Sequence, residues 1–150
     1  MWHFKNKTIA IFAIATILFS FIEPKEAVYS LTVTVNNLRN QNGVVQFALY
    51  NKNGSIPDEK YKNYYKITVG EIVTNSSKIT FTNIPKGKYA VNVLHDENRN
   101  GKIEKGFILQ IEGVGFSNFK NIGFTNRPNF IKASFDLSED KTINVKMVYF

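Results

Sequence analysis

Apolar and polar residues alternate along most of the chain after position 28. Leu31, Val33 and Val35 alternate with Thr32, Thr34 and Asn36, and Val45, Phe47 and Leu49 repeat the pattern with Ala48 among them. Ile79 and Phe81 stand between Lys78, Thr80 and Thr82, and Tyr89, Val91 and Val93 alternate with Ala90 and Asn92. Ala133, Phe135 and Leu137 form a further set, and Ile143, Val145, Met147 and Tyr149 run towards the end of the chain. Successive side chains of a strand point to opposite faces, so a period of two predicts strands with one buried face. Asn42-Gly43, Asn53-Gly54, Pro85-Lys86-Gly87 and Glu139-Asp140-Lys141 separate the segments as turns. No stretch after residue 28 sustains a helical period. The expected architecture is all-β, a Greek-key antiparallel β-sandwich of about seven strands.

Ile84 to Tyr89 places a tyrosine two residues after Gly87. In a tyrosine corner that hydroxyl bonds back to upstream backbone where the chain crosses between sheets. The other reading is a surface turn on which Tyr89 packs. Two regions do not alternate. Asn51 to Tyr64 is polar, contains Pro57, and reads as an exposed connection. Glu112 to Ile131 reads as a long loop carrying Phe116, Phe119, Phe124 and Phe130. Those rings either tack the loop onto a sheet or form an apolar patch for a partner.

The N-terminus has a different pattern. Lys5 and Lys7 precede an apolar run from Ile9 to Ile22, interrupted by Thr16 and Ser20. Such a helix rises about 21 Å, short of the roughly 30 Å hydrocarbon core, and reads as a secretory signal helix. An uncleaved anchor is the alternative. Residues 1–27 are the expected signal peptide and 28–150 a single β-sandwich domain, with cleavage after Ala27 or after Ser20. Removal of residues 1–27 takes away three lysines and two glutamates, so the formal charge falls from +7 to +6. The expected location is periplasmic, outer-envelope or secreted, with no transmembrane span in the mature chain.

The absence of cysteine excludes disulfide scaffolds, thiol catalysis and Cys-ligated metal centres. Hydrophobic content of 43% excludes a disordered chain. The basic residues are scattered, as Lys60, Lys62 and Lys66, then Lys86 and Lys88, then Arg99, Lys102 and Lys105. No basic helix or RNA-binding aromatic motif accompanies them, so nucleic acid is not expected. The charge either solvates the surface or draws the protein to anionic envelope polymers. The expected partner is a protein or an envelope polysaccharide.

The densest chemistry lies in His95-Asp96-Glu97-Asn98-Arg99-Asn100-Gly101-Lys102-Ile103-Glu104. Calcium takes six to eight oxygens at about 2.3–2.6 Å, which alternate residues of a tight loop can supply. Asp96, Asn98 and Asn100 fill the first, third and fifth places, Gly101 permits the turn, and the Lys102 carbonyl fills the seventh. Ile103 anchors the loop to the core and Glu104 stands ninth. The twelfth place is Phe107, not a bidentate glutamate, and Glu112 is the next acid that can close the shell. Arg99, Lys102 and Lys105 oppose a cation, so the expected affinity is weak, in the range of about 10⁻⁴–10⁻³ M. The competing reading is an ion-free turn held by Asx hydrogen bonds.

The segment Phe81-x-x-Ile84-Pro85-x-Gly87-x-Tyr89-Ala90-Val91-x-Val93-x-His95-Asp96-x-Asn98-x-Asn100-Gly101-Lys102 resembles the bacterial family catalogued as domain of unknown function 2141. Glu112-Gly113-x-Gly115-Phe116-Ser117-Asn118 and Arg127-Pro128-x-Phe130-x-x-Ala133-x-Phe135 are similar to its second and third blocks. The resemblance spans about residues 31 to 149. Departures from the family pattern fall at Glu104, Ile108 and Gln110. It implies a small secreted protein with a sandwich like prealbumin-type and carboxypeptidase-regulatory-type domains, and it supplies no activity.

Catalytic signals are sparse. His95 is the only histidine besides His3, and its parity with Val91 and Val93 places it inward. Ser117 lacks the second glycine of a nucleophile elbow. One histidine without cysteine gives too few ligands for zinc. The expected function is a non-enzymatic module of the cell envelope, binding or structural, stabilised by calcium. The alternative is a hydrolase acting near Asp96, Glu104, Glu112 and Ser117.

Overall fold

The alternation of the first segment becomes strand β1 (Val28–Val35), with Leu31, Val33 and Val35 buried and the intervening threonines half-exposed. A computed structural model describes residues 26–103 and 112–150. The expected signal helix lies outside the described residues, as do Glu104, Lys105, Phe107, Ile108 and Gln110. The remaining strands are β2 (Val44–Tyr50), β3 (Lys66–Gly70), β4 (Ser77–Pro85), β5 (Gly87–Asp96), β6 (Gly113–Phe116), β7 (Phe135–Leu137) and β8 (Lys141–Val145). A single helical turn, α1 (Phe130–Ala133), is capped by Asn129, whose side chain accepts from the Lys132 amide at 3.0 Å.

The strands form two sheets and no closed barrel. The smaller has the order β4-β1-β8, and the larger runs β3-β2-β5-β6 with β7 also paired to β5. Val33 lies between Ile79 and Ile143, and Phe47 pairs with Val93 and Thr68. The inner faces meet in a cluster that includes Leu31, Val33, Phe47, Leu49, Val91, Val93 and Val145. Among the described residues no helix is long and apolar enough to cross a membrane.

One pairing departs from the antiparallel expectation: β1 and β8 run parallel. A parallel neighbour requires a crossover rather than a hairpin. Here the chain passes through the larger sheet as β7 before returning to β1. Beyond β8 the chain crosses again, and Val148 exchanges two backbone hydrogen bonds with Val114, at 2.8 and 3.0 Å.

Two strands, β3 and β6, lie outside the alternating sets of the expected sandwich. β3 is a sheet edge on which Val69 is exposed. β6 lies within the region expected to be loop, and its alternation is written in glycine. A Cβ on Gly113 would collide with the Tyr149 ring, and one on Gly115 would approach the Lys146 carbonyl to 2.7 Å. The C-terminal segment occupies the space that β6 side chains would need.

The outer face of the larger sheet is a second core instead of a wet surface. Every residue of β2 is buried, as is β5 from Tyr89 to Asp96. Ala48, Tyr50, Ala90, Leu94, Val114 and Phe116 pack there under Ile56, Tyr61, Phe119 and Phe130. The Asn51–Tyr64 connection is therefore not wholly exposed: Ser55, Ile56, Asp58 and Tyr61 are buried on this face.

At the β4–β5 crossover the Tyr89 hydroxyl donates to the Pro85 carbonyl at 2.9 Å, the bond expected of a tyrosine corner. The bare Gly87 lets the ring pack close, since a Cβ there would lie 3.2 Å from it.

Candidate functional site

Strand β5 ends at Asp96, and its last side chain organises the loop that follows. Asp96 is buried; Oδ1 accepts from the Asn100 amide at 2.9 Å and Oδ2 from the Gly101 amide at 2.7 Å. Asn98 Oδ1 accepts from the same Asn100 amide at 3.0 Å, and Asn100 Oδ1 accepts from the Lys102 amide at 2.8 Å. Gly101 has φ +70°, the left-handed conformation that glycine adopts without a Cβ clash. Ile103 packs against the outer core, as an anchoring eighth residue should.

The expected site residues are partly brought together. Asp96 Oδ1 and Asn98 Oδ1 converge on one amide hydrogen. Glu112 is buried, and its Oε1 accepts from the Glu97 amide at 3.1 Å, beside the loop base. Asn98, Asn100 and Lys102 are exposed, and Glu104 lies outside the described residues. Among the described residues no three acidic or histidine side chains gather at one centre. Asp96, Asn98 and Asn100 direct their side-chain oxygens at amides of the loop itself, and Glu112 directs one at the Glu97 amide.

Ser117 and His95 are engaged elsewhere. Ser117 Oγ donates to the Ala133 carbonyl at 2.6 Å and accepts from the Val91 amide at 2.9 Å. His95 lies four residues further along β5, about 13 Å of strand, on the face shared with Val91 and Val93. Its ring nitrogens contact the Tyr149 hydroxyl at 2.8 Å and the Asn42 carbonyl at 3.0 Å.

An ion pair flanks this end of the sandwich. Arg39 Nε lies 2.6 Å from Glu97 Oε1, and Asn40 Nδ2 donates to Glu97 Oε2 at 2.9 Å. Burial opposes the Glu97 charge, but these hydrogen bonds and the Arg39 charge outweigh it and hold the carboxyl below its ordinary range.

A band of buried polar groups beneath the loop was not legible from periodicity. Tyr61, Gln46 and Asn92 are buried on the outer face of β2 and β5. Burial pushes the Tyr61 hydroxyl far up, the Gln46 amide opposes, and the negative charges of Asp58, Asp96 and Glu112 add to the rise. Asp58 accepts from the amides of Lys62 and Asn63, at 2.8 and 2.7 Å, and from the Tyr50 hydroxyl at 3.3 Å. The available signal was parity: Gln46 and Asn92 sit at the outward positions of strands whose neighbours are apolar.

No curated protein and no solved structure matches the chain. A family model described as "Uncharacterized protein conserved in bacteria (DUF2141)" matches residues 33–145, from the end of β1 through β8 and including the Asp96 loop, and the chain belongs to this family.

Proposed function

We propose that this chain is an exported, non-enzymatic β-sandwich module of the bacterial envelope that works by binding or as a structural part. The supporting observation is the commitment of Ser117 and His95, the pair a hydrolase would need, to separate backbone and tyrosine partners. Strand order and the Tyr89 corner support a Greek-key sandwich of the prealbumin type. Lys5, Lys7 and the apolar run to Ile22 support export, and β1 begins at Val28, so cleavage after Ser20 or Ala27 spares the sheets. Calcium binds weakly in this reading, through Asp96, Asn98, Asn100, the Lys102 carbonyl, Glu104 and Glu112. The Asp-x-Asn-x-Asn-Gly spacing and the burial of Asp96 and Glu112 at the base of the loop support that ligand set.

Calorimetry and thermal unfolding in calcium up to ~10 mM test the ion, and an unchanged melting temperature with no heat would reject it. Hydrolysis of a chromogenic ester or glycoside that disappears in Ser117→Ala would reject the non-enzymatic reading. The N-terminal mass of protein recovered from the periplasm tests export.

A further inference from the structure

The excursion from Asn118 to Ser134 sorts its apolar side chains by direction. Phe119, Phe130 and Ala133 are buried against the larger sheet, whereas Phe124 is 87% exposed and Ile131 is 70% exposed. The excursion is clasped at its base, where Asn118 Nδ2 donates to the carbonyls of Ala133 and Ser134 at 3.3 and 2.8 Å. Phe124 occupies the tip of a tight turn closed by backbone bonds between Gly123 and Asn126, at 3.1 and 3.4 Å. Asn126 Nδ2 braces that turn on the Asn121 carbonyl at 2.9 Å. The ring is thus held out into solvent by a built turn.

Charge sets this excursion apart as well. From Gly113 to Phe135 there is no acidic residue, and Lys120, Arg127 and Lys132 are all exposed. The neighbouring Asn51–Tyr65 connection covers the same hydrophobic cluster through Ile56 and Tyr61. It exposes Lys52, Lys60 and Lys62 against Glu59, its other acid, Asp58, being buried. Anionic headgroups attract such cations, and an exposed aromatic ring beside them gains by entering the headgroup–acyl boundary. A polyanion without hydrocarbon would satisfy the cations and leave Phe124 in water. We propose that this face docks on an anionic phospholipid bilayer, with Phe124 and Ile131 entering the interface and Lys120, Arg127 and Lys132 facing the phosphates. The assignment goes beyond the non-enzymatic reading and is independent of calcium.

Phe124→Trp in the exported chain, which has lost Trp2 with residues 1–27, places a single tryptophan at the tip. Vesicles of phosphatidylcholine mixed with phosphatidylglycerol should shift the residue-124 emission to the blue and allow brominated lipid to quench it. Phosphatidylcholine vesicles and dextran sulfate should leave it unshifted. Adding Lys120→Gln, Arg127→Gln and Lys132→Gln should raise the lipid concentration at the midpoint by about tenfold or more. Salt near ~1 M, where the Debye length falls to about 3 Å, should reverse the shift. No shift with mixed vesicles, or an equal one with neutral vesicles, overturns the proposal. A dextran sulfate response matching that of the vesicles also overturns it and gives the face to an anionic polysaccharide.

Discussion

The hydroxyl of Tyr149 lies 2.8 Å from Nδ1 of His95 and ties the end of the chain to the last turn of β5. The other ring nitrogen, Nε2, faces the Asn42 carbonyl at 3.0 Å, a pure acceptor, and donates to it. Nδ1 pairs with the Tyr149 hydroxyl, whose oxygen accepts from the Arg39 amide at 3.2 Å. The Arg39 guanidinium covers the same ring at 4.9 Å. Tyr149→Phe keeps the ring against Gly113 but leaves the buried Nδ1 without its hydroxyl partner. The expected loss is about 1–3 kcal/mol in denaturant unfolding. A loss below ~0.5 kcal/mol would show that the hydroxyl is dispensable.

The Arg39–Glu97 pair carries a pH signature. The folded-state pKa of Glu97 is depressed, so its contribution is complete above the unfolded value of about 4.3 and disappears as pH falls through the folded value. Arg39 is partly solvated, so the contribution is small, on the order of 1 kcal/mol or less. The stability gap between the parent chain and Glu97→Gln should therefore be widest near neutrality and close in acid. A gap that widens on acidification would contradict the assignment.

Phe119 and Phe124 belong to one excursion and should respond oppositely. Phe119 is buried beside Phe116, with ring centroids 6.1 Å apart, so Phe119→Ser should cost about 3–5 kcal/mol. Phe124→Ser should change unfolding by no more than about 0.5 kcal/mol. Equal losses in thermal denaturation would place both rings in the core.

Neither amide atom of Asn92 completes a hydrogen bond among the described residues, although the group lies beside the Tyr50 hydroxyl. A buried polar group left unpaired costs about 1–3 kcal/mol. Asn92→Leu should accordingly raise the unfolding free energy by ~1 kcal/mol. A drop of that size would mean that ordered water satisfies the amide.

Much of the inner core was legible because parity alone determines which side chains of β1, β4, β5 and β8 meet. Leu31, Val33, Phe81, Val91 and Val145 are inward as their alternation requires. The outer face was not legible. Ala48, Ala90 and Asn92 are small or polar enough to pass for solvent positions, and only the returning loops bury them. β6 was hidden for a related reason: glycines at 113 and 115 erase the apolar phase, and the residues responsible lie more than thirty positions away. At the candidate site, Asp96, Asn98, Asn100 and Gly101 follow a local spacing rule, so the turn was readable. The Glu112 bond to the Glu97 amide, the Arg39–Glu97 pair and the Tyr149 contact depend on residues apart in sequence, which no local spacing rule reveals.

The parallel seam between β1 and β8 gives the molecule an order of completion. Of the described strands, the central one of the smaller sheet comes first along the chain and one of its two neighbours comes last. Long-range pairing of this kind slows folding. A chain stopped short of Lys141 would lack β1's second neighbour, the cover over β6 and the partner of His95 all at once, so premature termination should yield a species that proteases clear.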